Sequence, residues 1–204
     1  MSTVTNRPLT LPTSRLGVGL IATVPTTLLV LATLIHPPRL DEAGAETWRN
    51  LHFALLFVFP LVGLAPWIVA RRAGRVYGWV AGILGYGFAT AYTGLDLLAG
   101  VGGGALVLSG NADVTGPVFA IARVLEQLGG ASLILGCLVA ALAAVRLVGW
   151  RAIPGGVLAL AGAILLLQFH IYPGRGTLAT GLLTIGFALL AVAVTTRQRG
   201  SQPA

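Results

Sequence analysis

The sequence predicts an all-α fold: a polytopic membrane protein with a bundle of six transmembrane helices and both termini in the cytoplasm. Three observations lead there: an apolar composition, six apolar runs of helical length, and an uneven distribution of arginine. Apolar residues make up 56% of the chain and charged residues only 9%, against roughly 25% charged residues in a soluble domain. With a mean hydropathy of +0.88, the chain has too few charged side chains to cover a water-facing surface, so lipid is the expected surrounding.

Six apolar runs meet or approach the length that spans a bilayer core of about 30 Å, which takes about 20 helical residues. Backbone polar groups in lipid must be hydrogen-bonded within their own segment, so all six are predicted to be helices. Prolines inside the first two runs predict kinks at Pro25, Pro60 and Pro66. The six runs are Leu16–His36, Leu51–Ala70, Val76–Ala99, Glu126–Leu147, Ile153–Tyr172 and Thr177–Thr196.

Arginine sets the predicted orientation. With the N-terminus inside, nine arginines fall on the cytoplasmic side and four outside, which obeys the positive-inside rule. The chain then divides into a cytoplasmic tail (1–15), a transmembrane domain (16–196) and a second cytoplasmic tail (197–204), in the plasma membrane of a bacterium. The cytoplasmic set is Arg7, Arg15, Arg71, Arg72, Arg75, Arg146, Arg151, Arg197 and Arg199, and the outer set is Arg39, Arg49, Arg123 and Arg175.

The predicted outer connection Gly100–Leu125 leaves two interpretations open. It contains Gly102-Gly103-Gly104, expected to be a flexible link, followed by an amphipathic stretch near Pro117–Leu125. It forms a re-entrant or interfacial element, or the fourth helix starts early, near Thr115. Sequence alone does not choose between them.

Several classes of function are disfavoured. The arginines form short groups between apolar runs and not a basic stripe with interleaved aromatic residues, so nucleic-acid binding is not expected. A single cysteine, Cys137, excludes an intramolecular disulfide and any CxxC site. The nucleotide-binding and serine-hydrolase motifs are absent from the sequence, and no catalytic residue can be assigned.

The ionisable residues carry the functional prediction, because all three histidines and all six acids fall on the predicted outer half. Asp96, Glu126 and His170 lie in or beside apolar sequence, where ionisable groups are costly and tend to face partners or water. Tyr92 and Thr93 lie four and three residues before Asp96, on the same helix face. We therefore expect these five residues to form a polar pocket.

Histidines with a carboxylate also suit a divalent metal such as Zn²⁺ or Fe²⁺. The expected ligands are His36, His52, His170 and Asp96, each from a different part of the chain and without a short ligand spacing. A b-type haem held by His52 and His170 is a second, less favoured cofactor. Solvated loop acids and interfacial histidines are the competing structural interpretation.

The leading hypothesis is a small membrane protein whose outward-facing pocket binds a small ligand or metal ion in a sensor, accessory or transport role. One alternative is a membrane-embedded metal- or haem-dependent enzyme using the same cluster. Another is a structural subunit of a larger membrane complex. Rows of small residues, such as Gly78 and Gly82 or Gly155, Ala159 and Ala163, allow close helix contact and would also suit homo- or hetero-oligomers.

Overall fold

The computed structural model describes residues 14–196, and within that range the chain is helical throughout, with short turns and no strand. The predicted all-α fold is therefore confirmed. The predicted terminal tails, with Arg7, Arg197 and Arg199, lie outside the described residues apart from Ser14 and Arg15. The helices are α1 (Arg15–Ile35), α2 (Ala45–Val62), α3 (Leu64–Ala70), α4 (Arg75–Leu95), α5 (Gly103–Leu108), α6 (Thr115–Val148), α7 (Ile153–Phe169) and α8 (Arg175–Thr196).

The breaks between helices follow local chemistry. The Ser14 side chain accepts a hydrogen bond from the Gly17 N–H and caps α1. The break between α2 and α3 falls at Gly63, three residues after Pro60, whose ring nitrogen cannot donate to the preceding turn. Gly74, with φ of 144°, and Gly149, with φ of 69°, make tight reversals that only glycine adopts easily.

Five helical stretches within residues 14–196 are long and apolar enough to cross a membrane. The fourth of them, Ala112–Phe169, contains both α6 and α7. Large apolar side chains point outward along these stretches, among them Leu16, Phe57 and Ile83. Threonines, histidines and an aspartate are buried instead. This inverted pattern is what a lipid surrounding favours, because a soluble monomer does not expose apolar surface on that scale.

The second helix begins earlier than predicted, at Ala45 and not near Leu51. Its first turns carry Glu46 and Arg49, and these polar residues hide the helix from a search for apolar runs. A turn precedes it, in which the Asp41 carboxylate accepts hydrogen bonds from the Arg39 side chain and the Gly44 N–H. The Arg39 hydrogen bond, reinforced by Gly44, holds the pKa of Asp41 below its usual range.

The predicted long outer connection Gly100–Leu125 is wrong. Helix α4 continues as a π-helix over Asp96–Gly102 and then as α5. The glycines Gly102-Gly103-Gly104 are therefore helical and do not form a flexible link. The next long helix, α6, begins at Thr115, which agrees with the early start considered from the sequence. Only residues 109–114 separate the two segments, with a 3-10 turn at Ala112–Val114.

Small residues hold the bundle together, as their spacing predicted for α7. A methyl group added at Gly155 would lie 2.9 Å from the Gly186 carbonyl oxygen, so α7 and α8 touch through their backbones. The ends of α1, α4 and α7 and the starts of α2 and α6 meet at one end of this bundle. The three histidines and Asp96, which are all buried, gather there.

Candidate functional site: a buried cluster of imidazoles and carboxyls

Three histidines that are far apart in the sequence converge at one end of the bundle. His36 ends α1, His52 lies in α2 and His170 ends α7. The centroid of the His36 ring lies 5.2 Å from that of His52 and 6.4 Å from that of His170. All three side chains are buried, with at most 8% of each residue exposed. The name polar pocket is used below for this cluster together with Asp96 and Glu126.

Backbone carbonyls fix the tautomers of two of these histidines. The Nδ1 atom of His52 lies 2.6 Å from the Trp48 carbonyl oxygen, and that of His36 lies 2.7 Å from the Pro37 carbonyl oxygen. A carbonyl oxygen can only accept, so Nδ1 must donate in both rings. The Nε2 atom of each neutral imidazole is then a lone-pair acceptor, assigned from this hydrogen-bond network. Histidines that bind metals are commonly oriented in the same way.

Asp96 is the first residue of the π-helix and is fully buried. Its Oδ1 atom lies 3.7 Å from the Nε2 atom of His52, beyond hydrogen-bond distance. Neither carboxyl oxygen has a hydrogen-bond partner among the described residues. A carboxyl group buried in this way costs free energy unless a ligand, water or proton compensates it.

Glu126 and His170 form a second carboxyl–imidazole pair. The Glu126 Oε1 atom, on α6, lies 3.7 Å from the Nδ1 atom of His170, and a quarter of the glutamate side chain is exposed. Arg123, one turn earlier on α6 and mainly exposed, lines the same cavity. Two buried imidazoles of the polar pocket, His52 and His170, therefore each face a carboxyl group.

Aromatic side chains and the π-helix frame the polar pocket. The Trp48 ring stacks on His52 with 4.9 Å between centroids, and its Nε1 atom donates to the Ala99 carbonyl oxygen at 3.0 Å. That carbonyl belongs to the π-helix, a form found often at functional sites. A methyl group at Gly100 would overlap the His52 ring, so this position needs glycine for the close approach.

Tyr92 lies deeper than the histidines and is fully buried. Its ring packs on Phe59, Phe88 and His170, with centroids 5.1, 4.5 and 5.9 Å away, and its hydroxyl has no partner among the described residues. Thr93, also predicted to belong to the pocket, is only half-buried and does not line the cavity. Tyr92 and Asp96 do share a buried face, as their spacing predicted.

A cavity of about 160 Å³ lies between these groups, lined by Trp48, His52, Glu126, His170 and Tyr172 among others. Water occupies about 30 Å³ in the liquid, so there is room for a few waters or a small solute. Pockets that take drug-sized ligands measure about 300–1,000 Å³. A haem between His52 and His170 therefore does not fit the structure as it stands.

Five buried polar atoms around this region have no hydrogen-bond partner among the described residues: His36 Nε2, Tyr92 Oη, both Asp96 carboxyl oxygens and His170 Nδ1. Buried polar groups in native proteins are almost always satisfied, by protein or by ordered water. Each one left unsatisfied costs about 1–3 kcal/mol. Of these residues only His170 lines the cavity, whereas His36 and Asp96 lie against His52, which also lines it.

The histidines at the helix ends are neutral at physiological pH. Burial, with the nearby His52 and His36 rings as further causes, lowers the pKa of His170 to about 3. Burial also lowers the pKa of His36, against the opposing effect of its hydrogen bond to Pro37. Both rings therefore offer lone pairs and not positive charge.

The backbone at His170 is unusual. Its φ is 48°, and no other non-glycine residue within 14–196 has a positive φ. With ψ of −145°, His170 lies outside the left-handed helical region that histidine tolerates, and such strain clusters at functional sites. The strained turn directs the imidazole inward at the end of α7.

The expected metal ligands are gathered but not arranged as a coordination sphere. Within residues 14–196, no three His, Cys, Asp or Glu side chains are placed so that they could hold a metal ion. His36, His52 and Asp96 adjoin one another, whereas His170 is nearer to Glu126. A metal bound here would require side-chain rotation.

Sequence reasoning missed several members of the site. Trp48 and Tyr172 lie outside the predicted ligand set, and Gly100 was assigned to a loop. The signal that could have found them is the four-residue spacing of Trp48 and His52, which puts both on one face of a helix that starts at Ala45. The π-helix has no comparable sequence signature.

No protein-family model, curated protein or solved structure matches this chain. The activity of the polar pocket must therefore be inferred from its own side chains.

Proposed function

We propose that this is an integral membrane protein of six transmembrane helices whose polar pocket binds a small cation from the extracytoplasmic side. Its role would be that of a sensor, an accessory protein or a transporter. The observation that carries the proposal is the set of partnerless buried polar atoms of His36, Tyr92, Asp96 and His170. They belong to the cluster around His52 and His170, the two histidines that line the cavity.

The chemistry of those atoms favours a cation. The Nε2 atoms of His36 and His52 are acceptors because Nδ1 of each ring donates to a carbonyl. The two Asp96 oxygens also accept when the group is ionised. A ligand that donates hydrogen bonds or accepts lone pairs, such as ammonium, a small primary amine or a divalent metal ion, is the chemical class that suits these acceptors. An anion would find few donors there.

The proposed six crossings follow from the packing of α6 and α7. These helices contact each other side by side and are joined by the turn at Gly149–Ala152. The stretch Ala112–Phe169 would therefore cross the membrane twice. With 34 residues, α6 is about 51 Å long and would extend beyond a bilayer core of about 30 Å. The arginine distribution favours an extracytoplasmic position for the polar pocket.

Cysteine labelling tests this topology. Cys137 is buried and is the single cysteine of the chain, so Cys137→Ala gives a clean background. A membrane-impermeant maleimide should label Asn111→Cys in intact cells and Arg151→Cys only after lysis. The reverse result would put the polar pocket in the cytoplasm and refute the proposed side.

Thermal unfolding of the detergent-purified, chelator-treated protein tests ligand binding. Zn²⁺, Ni²⁺, ammonium and methylammonium would each be titrated, with tetramethylammonium as a control cation that has no N–H to donate. A cation at 100 times its dissociation constant adds about 2.7 kcal/mol of stability, which is roughly 5–10 °C for a chain of this size. No saturable shift with any of the four would contradict the proposal.

A further inference from the structure

We propose that a second site, at the opposite end of the bundle, binds an anionic phospholipid. It comprises an apolar groove between α2–α3 and α4 and the arginine turn at its mouth, and is called the arginine groove below. It rests on the chain lying in a membrane, and not on the cation proposed for the polar pocket.

Glycines create the apolar part of the groove. Adding a methyl group to either Gly63 or Gly85 would overlap the backbone of the other, so the two segments cross in direct contact. Beside this crossing lies a groove of about 660 Å³, walled by Trp67 and Leu64 on one side and Trp79, Ile83 and Tyr86 on the other. Its lining is almost entirely apolar, as an acyl chain requires.

The groove opens directly onto arginines. An adjoining cavity of about 490 Å³ shares Trp67 and Trp79 with it and is otherwise lined by Arg71, Arg75 and Gly78. The Arg71 guanidinium lies over the Trp67 ring, 4.8 Å from its centroid, which positions the cation at the mouth. Guanidinium groups suit phosphate because they can donate two parallel hydrogen bonds.

The outward-facing Trp79 is consistent with this depth in the membrane. It lies one turn after Arg75 on α4 and is 63% exposed. Tryptophan beside arginine is typical of the membrane–water interface, where the ring lies at headgroup level. A phospholipid with one acyl chain in the groove and its phosphate at Arg71 and Arg75 matches both the apolar wall and the positive charge of the arginines. An uncharged partner helix would leave the arginines unmatched.

Native mass spectrometry of the detergent-purified full chain tests this site, with phosphatidylglycerol and phosphatidylcholine of equal chain length supplied at equal concentration. Phosphatidylglycerol should be retained preferentially. A basic residue near anionic lipid contributes about 1 kcal/mol, so each of Arg71→Gln and Arg75→Gln should weaken phosphatidylglycerol binding about five-fold. Arg151→Gln removes the same charge from the α6–α7 turn and should leave binding unchanged.

A second variant tests the apolar part. Ala89→Leu should fill the far end of the groove and reduce phosphatidylglycerol retention without changing any charge. Glycerol phosphate, which carries the headgroup chemistry without acyl chains, should fail to displace the lipid. Equal retention of the two lipids, equal losses in Arg151→Gln and Arg75→Gln, or a dimer that covers the groove would each overturn the proposal.

Discussion

The Oδ1 atom of Asp96 lies 3.7 Å from the Nε2 atom of His52, and both side chains are buried. The other nitrogen of that imidazole is held by the Trp48 carbonyl, so Nε2 offers a lone pair to a carboxyl group that has no donor. Two acceptors facing each other at this distance require a shared proton or a cation between them. That requirement is the physical basis of the proposed function.

Asp96→Asn should separate stability from binding. The amide keeps the shape of the carboxyl group and can donate to His52 Nε2, so the variant should unfold at a higher temperature than the cation-free wild type, with a gain of about 1–2 kcal/mol. Cation-induced stabilisation should be lost. Both effects are measured by thermal unfolding with and without the cation.

Asp113→Asn is the matched control for this substitution, because Asp113 lies in an exposed turn. Asp113→Asn should change neither the unfolding temperature of the cation-free protein nor the stabilisation that the cation produces. If Asp96→Asn were destabilising and still bound the cation, Asp96 would be a structural residue and not a ligand.

Gly100→Ala should damage the polar pocket without touching a polar group. The added methyl group overlaps the His52 ring, so the ring or the π-helix must move, at a cost of about 1–3 kcal/mol. Gly181→Ala, a helical glycine of α8 with open space around it, is the control and should be neutral or slightly stabilising. Wild-type stability in Gly100→Ala would mean that the His52 ring lies elsewhere.

Stability of the chelator-treated protein should fall on acidification because of His170, which Glu126, His52 and His36 face. Its pKa in the folded protein, about 3, lies below the value of 6.5 that the ring has in an unfolded chain. The contribution of His170 to the free energy of unfolding is therefore fully present above pH 6.5. It is lost as the pH falls towards 3, with a loss of about 2 kcal/mol at pH 5.

His170→Asn removes the titrating ring and should make this pH profile shallower, with the slope due to His36 remaining, as measured by thermal unfolding between pH 5 and 8. An unchanged slope in that variant would assign the acid sensitivity to another group.

His170→Gly and His170→Ala distinguish backbone strain from side-chain loss at the same position. Both remove the imidazole, but glycine adopts the φ of 48° without strain. The glycine variant should therefore be more stable than the alanine variant by about 1 kcal/mol or more. Equal stability would show that the turn relaxes when the imidazole is removed.

Helix bounds were predictable from hydropathy where a helix is free of charged residues. They were not predictable where a helix begins with polar residues. The apolar runs placed α1 and α8 within a few residues, because neither helix carries a charged residue after its first position. The first turns of α2 and α6 carry polar residues such as Glu46 and Arg123, so both helices start earlier than the apolar runs suggest. The π-helix after Asp96 reflects packing of Trp48 and His52 against its backbone, which only tertiary contacts reveal.

The sequence indicated some residues of the polar pocket but not the distances between them. An ionisable residue in apolar sequence is a strong signal, and it found Asp96, Glu126 and His170. Their mutual distances were not predictable, since each comes from a different helix. Trp48 and Gly100 act through contact with His52, and neither residue type signals such a role in sequence.

Isothermal titration calorimetry on chelator-treated wild type and Asp96→Asn tests the central claim most directly, with Zn²⁺ and methylammonium as separate titrants. The account predicts that the wild type binds at least one of them with a stoichiometry near one and that Asp96→Asn does not. Absence of binding by the wild type, or equal binding by both proteins, would contradict a cation site at Asp96 and His52.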